Sequence, residues 1–271
     1  MDYVTLNNGV EIPVLGFGTW DVRGAAVDRI VNDALEAGYR LFDTAHMYEN
    51  ERELGKALAT TGVAREELFL TSKLNRPYRS YQKALSGVEQ SLNELQTDYL
   101  DLYLVHEPYR ECEDMYAALQ DCYNDGKVRA IGVSNFNFPL FQNLARQASV
   151  KPAVNQVESH VYHPCFELKD ALNNASCVMQ AWGPFTEGRR NIFAEPVLQA
   201  VGAQYGKTAG QVALRYLLQN GVAVCVKSAH ASRMVENSSV FDFTLTDTDL
   251  SRIATLDGHQ SLFGWYSDDL I

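Results

Sequence analysis

Apolar residues fall along this chain in two alternating patterns. Short runs that are apolar at nearly every position, such as "VLGFGT", "LFLTSK", "AIGVS" and "VAVCVK", are each followed by a stretch where apolar residues recur every three or four positions. A run apolar on both faces suits a buried parallel strand, and the wider spacing marks one face of a helix. The first pair is "VLGFGT" and a helix with Val27, Ile30, Val31, Ala34 and Leu35 on one face, ended by Gly38. "YRLFD" is followed by Asn50-x-x-Glu53, the pattern of a capping box opening a short helix. "LFLTSK" precedes an amphipathic stretch from Ser80 to Leu95, and "YLDLYLVH" precedes a helix on Met115, Leu119 and Cys122 that stops at Gly126. "AIGVS" then leads to Phe138 to Ala148, "AVNQV" to Phe166 to Leu172, "VMQAW" to Ala209 to Asn220, and "VAVCVK" to a short helix around Arg233. Thr246-x-x-Asp249 caps a last helix carrying Leu250, Ile253, Ala254 and Leu256.

Eight strand–helix units in about 250 residues predict an α/β fold, a closed (β/α)8 TIM barrel, over a doubly wound open sheet. No Pro/Gly/Ser-rich linker or low-complexity tract interrupts the pattern, so residues 1–271 are expected to form one domain. The strand ends on the C-terminal face of such a barrel surround the active site. Here they are Asp43, Lys73, His106, Ser134, Gln156, Trp182 and Lys227, with Tyr48 in the loop after the second strand. Each alone reads equally well as turn chemistry or core packing. Together they converge an acid, a lysine, a histidine and a phenol on one face.

Composition narrows the partners. Of 271 residues, 34 are acidic and 23 basic, a net charge of −11, which opposes a nucleic-acid surface. No run of apolar residues is long enough to cross a membrane, and "MDYVTLNNGVEIP" lacks the basic and apolar regions of a signal peptide. Five scattered cysteines without a CxxC pair read as free thiols of a reducing compartment, so a cytoplasmic location is expected. A metal-dependent hydrolase would want His/Asp/Glu pairs at several strand ends; only His106 and Asp43 qualify, and no metal is expected.

At these residues the chain resembles the aldo-keto reductases over nearly its whole length. "DTAHMYENE" is similar to the D-T-A-x-x-Y-x-N-E segment of that family, "TSKL" and "LVH" to its lysine and histidine segments. "IGVSNF", "VNQVE" and "VKSAHASRMVEN" follow in family order, and "AWGPFTEGRRNIF" resembles the bacterial branch containing the 2,5-diketogluconate reductases. The resemblance implies NADPH-dependent reduction of an aldehyde or ketone by a tetrad of Asp43, Tyr48, Lys73 and His106. Tyr48 would be the proton donor, Lys73 would lower its pKa, Asp43 would hold the lysine charged, and His106 would orient the carbonyl.

The hydride source also has implied contacts. "GFGTWD" lacks the third glycine of the dinucleotide fingerprint, so a Rossmann site is weak. By resemblance, Ser134, Asn135 and Gln156 grip the carboxamide and Trp182 stacks on the nicotinamide, with Gly18, Thr19, Asp43, Gly183, Pro184 and Phe185 as further cofactor contacts. Lys227, Ser228 and Arg233 form a local basic cluster suited to a 2′-phosphate, with Glu236 and Asn237 at the adenine. Trp20, Met47, Tyr48, His106 and Glu107 are the expected substrate contacts, and a monomer is expected. The alternative is a slow, redox-sensing regulatory barrel that holds the same cofactor.

Three departures stand out. Glu107 replaces a common aromatic; His160-Val161 replaces the family's His-Pro; and the tail "GHQSLFGWYSDDLI" is short. With its carboxylate in the pocket, Glu107 would disfavour anionic substrates and raise the pKa of His106. The competing reading turns it to solvent or to Arg110.

Overall fold

The computed structural model describes residues 2–264. In order, its elements are β1 (Tyr3–Thr5), β2 (Glu11–Pro13), β3 (Leu15–Gly18), α1 (Val27–Glu36), β4 (Leu41–Asp43), α2 (Glu51–Ala59), β5 (Phe69–Leu74) and α3 (Tyr81–Leu95). Then come β6 (Leu102–Val105), α4 (Cys112–Asn124), β7 (Ile131–Ser134), α5 (Phe138–Gln147), β8 (Val154–Glu158), α6 (Phe166–Asn174) and β9 (Val178–Trp182). The last are α7 (Pro196–Tyr205), α8 (Ala209–Gln219), β10 (Ala223–Val226), α9 (Ala231–Ser238) and α10 (Asp247–Ala254).

Strands β3 to β10 close into an eight-stranded parallel barrel, β10 pairing with β3 through Val224–Leu15, Cys225–Gly16 and Val226–Phe17. The expected (β/α)8 barrel is therefore the fold. Strands buried on both faces have no polar side to show, which is why their sequences are apolar at nearly every position. Gly16 lets the barrel wall close tightly, since a Cβ there would fall 2.4 Å from Leu41 Cδ2. Outside the barrel, Val27, Ile30, Val31, Ala34 and Leu35 of α1 are all buried, the stripe expected from their spacing.

The helix ends explain several boundaries. Gly38 follows α1 at φ +93°, a left-handed turn that glycine enters without strain. Thr246 and Asp249 form a full capping box on α10, as their spacing predicts. Asn50 corrects the same expectation at α2. It stands at the N-cap position but makes no side-chain cap bond. Its amide nitrogen instead donates to Thr19 O (2.9 Å) and Val22 O (3.0 Å), its oxygen accepts from Thr44 Oγ1 (2.7 Å), and Glu53 Oε2 accepts from Gly24 N (2.8 Å). Long-range carbonyls outcompete the local cap.

Two elements lie outside the alternating pattern. The β1–β2 hairpin contributes Leu6 and Ile12 to a small core with Leu41, Phe69, Leu102, Leu104, Ala130 and Val154 inside the barrel. Helix α7 makes a second helix after β9; its Val197, Leu198, Ala200 and Val201 lack the clean stripe that marks the other helices. Among the described residues, no helix is long and apolar enough to cross a membrane. Seven residues of the tail, 265–271, lie outside the described residues.

Candidate active site

A cavity of about 510 Å³ opens at the C-terminal ends of the barrel strands. Its wall includes Gly18, Thr19, Trp20, Asp43, Met47, Tyr48, His106, Ser134, Asn135, Gln156, Trp182, Gly183, Pro184, Phe185 and Lys227. All of these are predicted from the sequence. Lys73 stands behind the wall, fully buried on β5.

Lys73 cannot keep its charge in that position alone. Removing an ammonium from water costs several kcal/mol in practice, so it needs close partners. Its Nζ donates to Asp43 Oδ1 at 2.5 Å, to Thr44 O at 3.1 Å and to the Tyr48 hydroxyl at 3.3 Å. Burial alone would lower the lysine pKa, but the charge of Asp43, the neighbouring Tyr48 hydroxyl and the hydrogen bond to Asp43 outweigh it and the net shift is upward, so Lys73 is an ammonium. Asp43 Oδ2 in turn accepts from Gln156 Nε2 at 2.7 Å, and Gln156 Nε2 also reaches Gln180 Oε1 at 2.8 Å.

Tyr48 corrects one expectation. Lys73 does act to lower its pKa, but burial acts first and Asp43 adds to it, so the hydroxyl is pushed up to about 12. The phenol is protonated throughout the neutral range. Its ring meets Trp20 edge-on at 5.0 Å and His106 edge-on at 5.9 Å between centroids.

His106 is held neutral: burial first, and then the charge of Lys73, push its pKa well below the ordinary value. This is the reverse of the rise expected from Glu107. Its Nδ1 is buried without a hydrogen-bond partner, which leaves Nε2 as the nitrogen open to the cavity. A proton on Nε2 leaves only a lone pair at the enclosed nitrogen and aims an N–H outward.

Glu107 is absent from the cavity wall. Its carboxyl is raised by burial, hydrogen-bonds the Tyr109 side chain and feels Arg76, rather than pairing with Arg110.

The predicted nicotinamide contacts are already linked to one another. Trp182 Nε1 donates to Asn135 Oδ1 at 2.8 Å, Asn135 Nδ2 to His106 O at 3.2 Å, and Ser134 Oγ to Gln156 O at 2.8 Å. The basic segment divides. Lys227 reaches the cavity, whereas Ser228, Arg233, Glu236 and Asn237 lie beyond its wall. Ser228 Oγ accepts from His230 N at 3.1 Å, and Glu236 Oε1 accepts from Thr208 Oγ1 at 2.6 Å. Asn237 is buried, while Lys227 and Arg233 are exposed and make no salt bridge among the described residues.

Sequence reasoning missed five wall residues: Asp21, Glu187, Cys225, Val226 and Phe263. Phe263, from the segment after α10, packs edge-on against Trp182 at 5.0 Å. That segment is pinned by Glu158 at the end of β8, which accepts from Leu262 N at 2.8 Å and from the Ser261 hydroxyl. Cys225 and Val226 lie inside the apolar run "VAVCVK" rather than at its end, and Asp21, Glu187 and Phe263 lie outside the strands and α-helices, where no periodic pattern marks them. Among the described residues no group of three or more His, Cys, Asp or Glu is placed to hold a metal ion.

Residues 14–257 match the model of the Aldo/keto reductase family. The glyoxal reductase of Bacillus subtilis (strain 168) is 41% identical over 257 residues, covering 94% of this chain and 92% of that protein. Among solved structures, an aldo-keto reductase enzyme from a Medee basin deep-sea metagenome library superposes with a TM-score of 0.93 at 36% identity, over 96% of this chain and 97% of that one. An aldo-keto reductase complexed with NADPH superposes with a TM-score of 0.90 at 32% identity, over 96% and 89% of the two chains. A barrel with this polar quartet at its mouth, matched by the family model from its third strand to the end of its last helix, makes the chain a member of the aldo/keto reductase family and an oxidoreductase.

Proposed function

We propose that this protein reduces an aldehyde or ketone to the alcohol with NADPH, Tyr48 giving the proton. The observation that carries the reading is the buried chain Asp43–Lys73–Tyr48, ending at a hydroxyl in the same cavity wall as His106.

The cavity's donor set fits a nicotinamide dinucleotide phosphate. Trp182 offers a flat face, Ser134, Asn135 and Gln156 offer amide and hydroxyl groups, Lys227 adds a cation at the wall and exposed Arg233 another beyond it, neither in a salt bridge among the described residues. The relative crystallised with NADPH supports the same choice. When bound, the reduced nicotinamide supplies the hydride. Tyr48 delivers a proton to the carbonyl oxygen as negative charge gathers there. Lys73, 3.3 Å from the hydroxyl, stabilises the phenolate left behind, and Asp43 keeps the lysine charged and aimed. Neutral His106 donates from Nε2 to the carbonyl oxygen and fixes its direction. Hydride on carbon and proton on oxygen together make the alcohol.

Glu107 bears on substrate choice by its absence from the wall. With its carboxylate turned to Tyr109 and Arg76, it adds no selection against acids at the carbonyl. The likeness to a protein named glyoxal reductase puts small dicarbonyls first among substrates to try. The test is NADPH oxidation across dicarbonyls, aldehydes, α-ketoesters and sugar derivatives, with NADH controls. Carbonyl-dependent oxidation that prefers NADPH is expected. Tight NADPH binding with no turnover on any carbonyl would overturn the reading in favour of a sensor.

A further inference from the structure

The turn that carries Tyr48 has little backbone support of its own. It is one helical turn, His46–Tyr48, in which Tyr48 N donates to Ala45 O at 2.9 Å and Glu49 N to His46 O at 3.2 Å, and Glu49 then leaves it left-handed at φ +54°. Its place in the barrel mouth depends on side chains. Asn50 ties one flank to the β3–α1 loop through Thr19 O and Val22 O. The other tie is His46, whose side chain is only 5% exposed and does not line the cavity.

His46 faces away from the chemistry, into a polar network between α2, α3 and the barrel. Its Nε2 lies 2.8 Å from Gly87 O and 3.0 Å from Ser91 Oγ; its Nδ1 lies 3.1 Å from Glu51 Oε2. Glu51 Oε1 accepts from Ser72 Oγ at 2.5 Å and Ser91 Oγ at 2.7 Å, and the Tyr103 hydroxyl sits 2.7 Å from Ser91 Oγ. Glu51 Oε2 is buried with no hydrogen-bond donor, so the His46 contact is its compensation. Tyr78 covers the ring at 4.4 Å, and Gly87 makes room for Tyr78 and Leu74: a Cβ there would fall 2.8 Å from Tyr78 Cδ1 and 2.6 Å from Leu74 Cδ2.

The acceptors decide what the ring must carry. A backbone carbonyl only accepts, and so does a carboxylate oxygen. A neutral imidazole has one N–H and serves one of the two. Both are served when the pair holds one further proton, on the ring or on Glu51. Burial raises the Glu51 pKa, against the lowering by His46 and the two serine hydroxyls, and Glu94 adds to the rise.

We infer that His46 is a positioning residue for Tyr48. Through its contacts with Gly87 O, Ser91 Oγ and Glu51 Oε2, it fastens the turn to α2 and α3 and so sets how the Tyr48 hydroxyl meets Lys73 and the carbonyl. The inference rests on Tyr48 being the proton donor. His46 touches neither substrate nor cofactor site, so its loss belongs in kcat and not in binding.

The test compares His46→Leu and His46→Gln with wild type in kcat, carbonyl KM, NADPH Kd by fluorescence titration, and Tm. His46→Leu should lower kcat by roughly ten- to a hundredfold through a misplaced hydroxyl, with KM and Kd nearly unchanged. His46→Gln keeps one donor and should lose less, in the same parameter. A folded His46→Leu protein with wild-type kcat, or with equal losses in kcat and NADPH affinity, overturns the inference. Where the leucine variant fails to fold, His46→Gln decides: reduced kcat at unchanged Kd supports positioning, and wild-type kcat overturns it. Tyr48→Phe in parallel separates the two ideas. Normal turnover there sinks the proton-donor reading itself, whereas a dead Tyr48→Phe beside fully active His46 variants sinks only the positioning role.

Discussion

The inner and outer ends of the cavity are built on opposite plans. At the inner end the charged groups are already tied to protein partners: Lys73 to Asp43, Thr44 and Tyr48, Asp43 to Gln156 as well, with Trp182 held by Asn135. At the outer end Lys227 and Arg233 stand in solvent without a salt bridge among the described residues. A buried ammonium must be paired or the fold pays for it, while an exposed cation costs little to leave unpaired. The inner end is thus preorganised by the protein, and the outer end is left for an anionic ligand. The lesson is that substitutions at the two ends should fail differently, one in rate and the other in affinity.

The largest break in that comparison is Lys73→Met. It removes the charge facing the developing phenolate and should cut kcat by roughly a hundredfold or more. It also leaves Asp43 buried without its cation, at about 3–5 kcal/mol of stability, which a denaturant titration reads. NADPH affinity, by fluorescence titration, should change little.

Arg233→Ala is the converse. A charge-assisted phosphate contact is worth about 1.5–3 kcal/mol, so NADPH affinity should fall roughly tenfold to a hundredfold. NADH affinity and kcat at saturating NADPH should hold. Equal wild-type affinity for the two cofactors would remove the outer end from the comparison.

The smallest effect is expected at Glu107→Gln. With the carboxyl turned to Tyr109 and Arg76, the ratio of kcat/KM for a methyl ester to that for the matching carboxylate aldehyde should stay as in wild type. A marked gain for the acid in the variant would put the carboxylate back in the pocket.

The inner end was far more legible in the sequence than the devices that hold it. Asp43, Lys73, His106, Ser134 and Trp182 lie at or beside strand ends, and strands buried on both faces announce themselves as apolar runs. Loop side chains carry no such signal. Asn50 reads as a helix cap and bonds carbonyls instead; Glu107 reads as a pocket wall and turns away; His46 sits inside the "DTAHMYENE" segment and works on its far side. Phe263 reaches back to Trp182 from beyond α10, a contact no local pattern encodes. The net pKa of Tyr48 is out of reach of the sequence for a related reason: the lowering by Lys73 is visible there, but the burial that outweighs it is a property of the folded mouth.

The claim at the centre is that the Tyr48 hydroxyl is the proton donor and that the rest of the inner end exists to serve it. A single-turnover measurement tests this most directly: enzyme saturated with NADPH is mixed with an aldehyde and NADPH oxidation is followed in stopped flow. In Tyr48→Phe the oxidation rate should fall by roughly a hundredfold to ten-thousandfold while the NADPH Kd stays near wild type, because the lost group acts only in the transition state. Oxidation at the wild-type rate in that variant would contradict it.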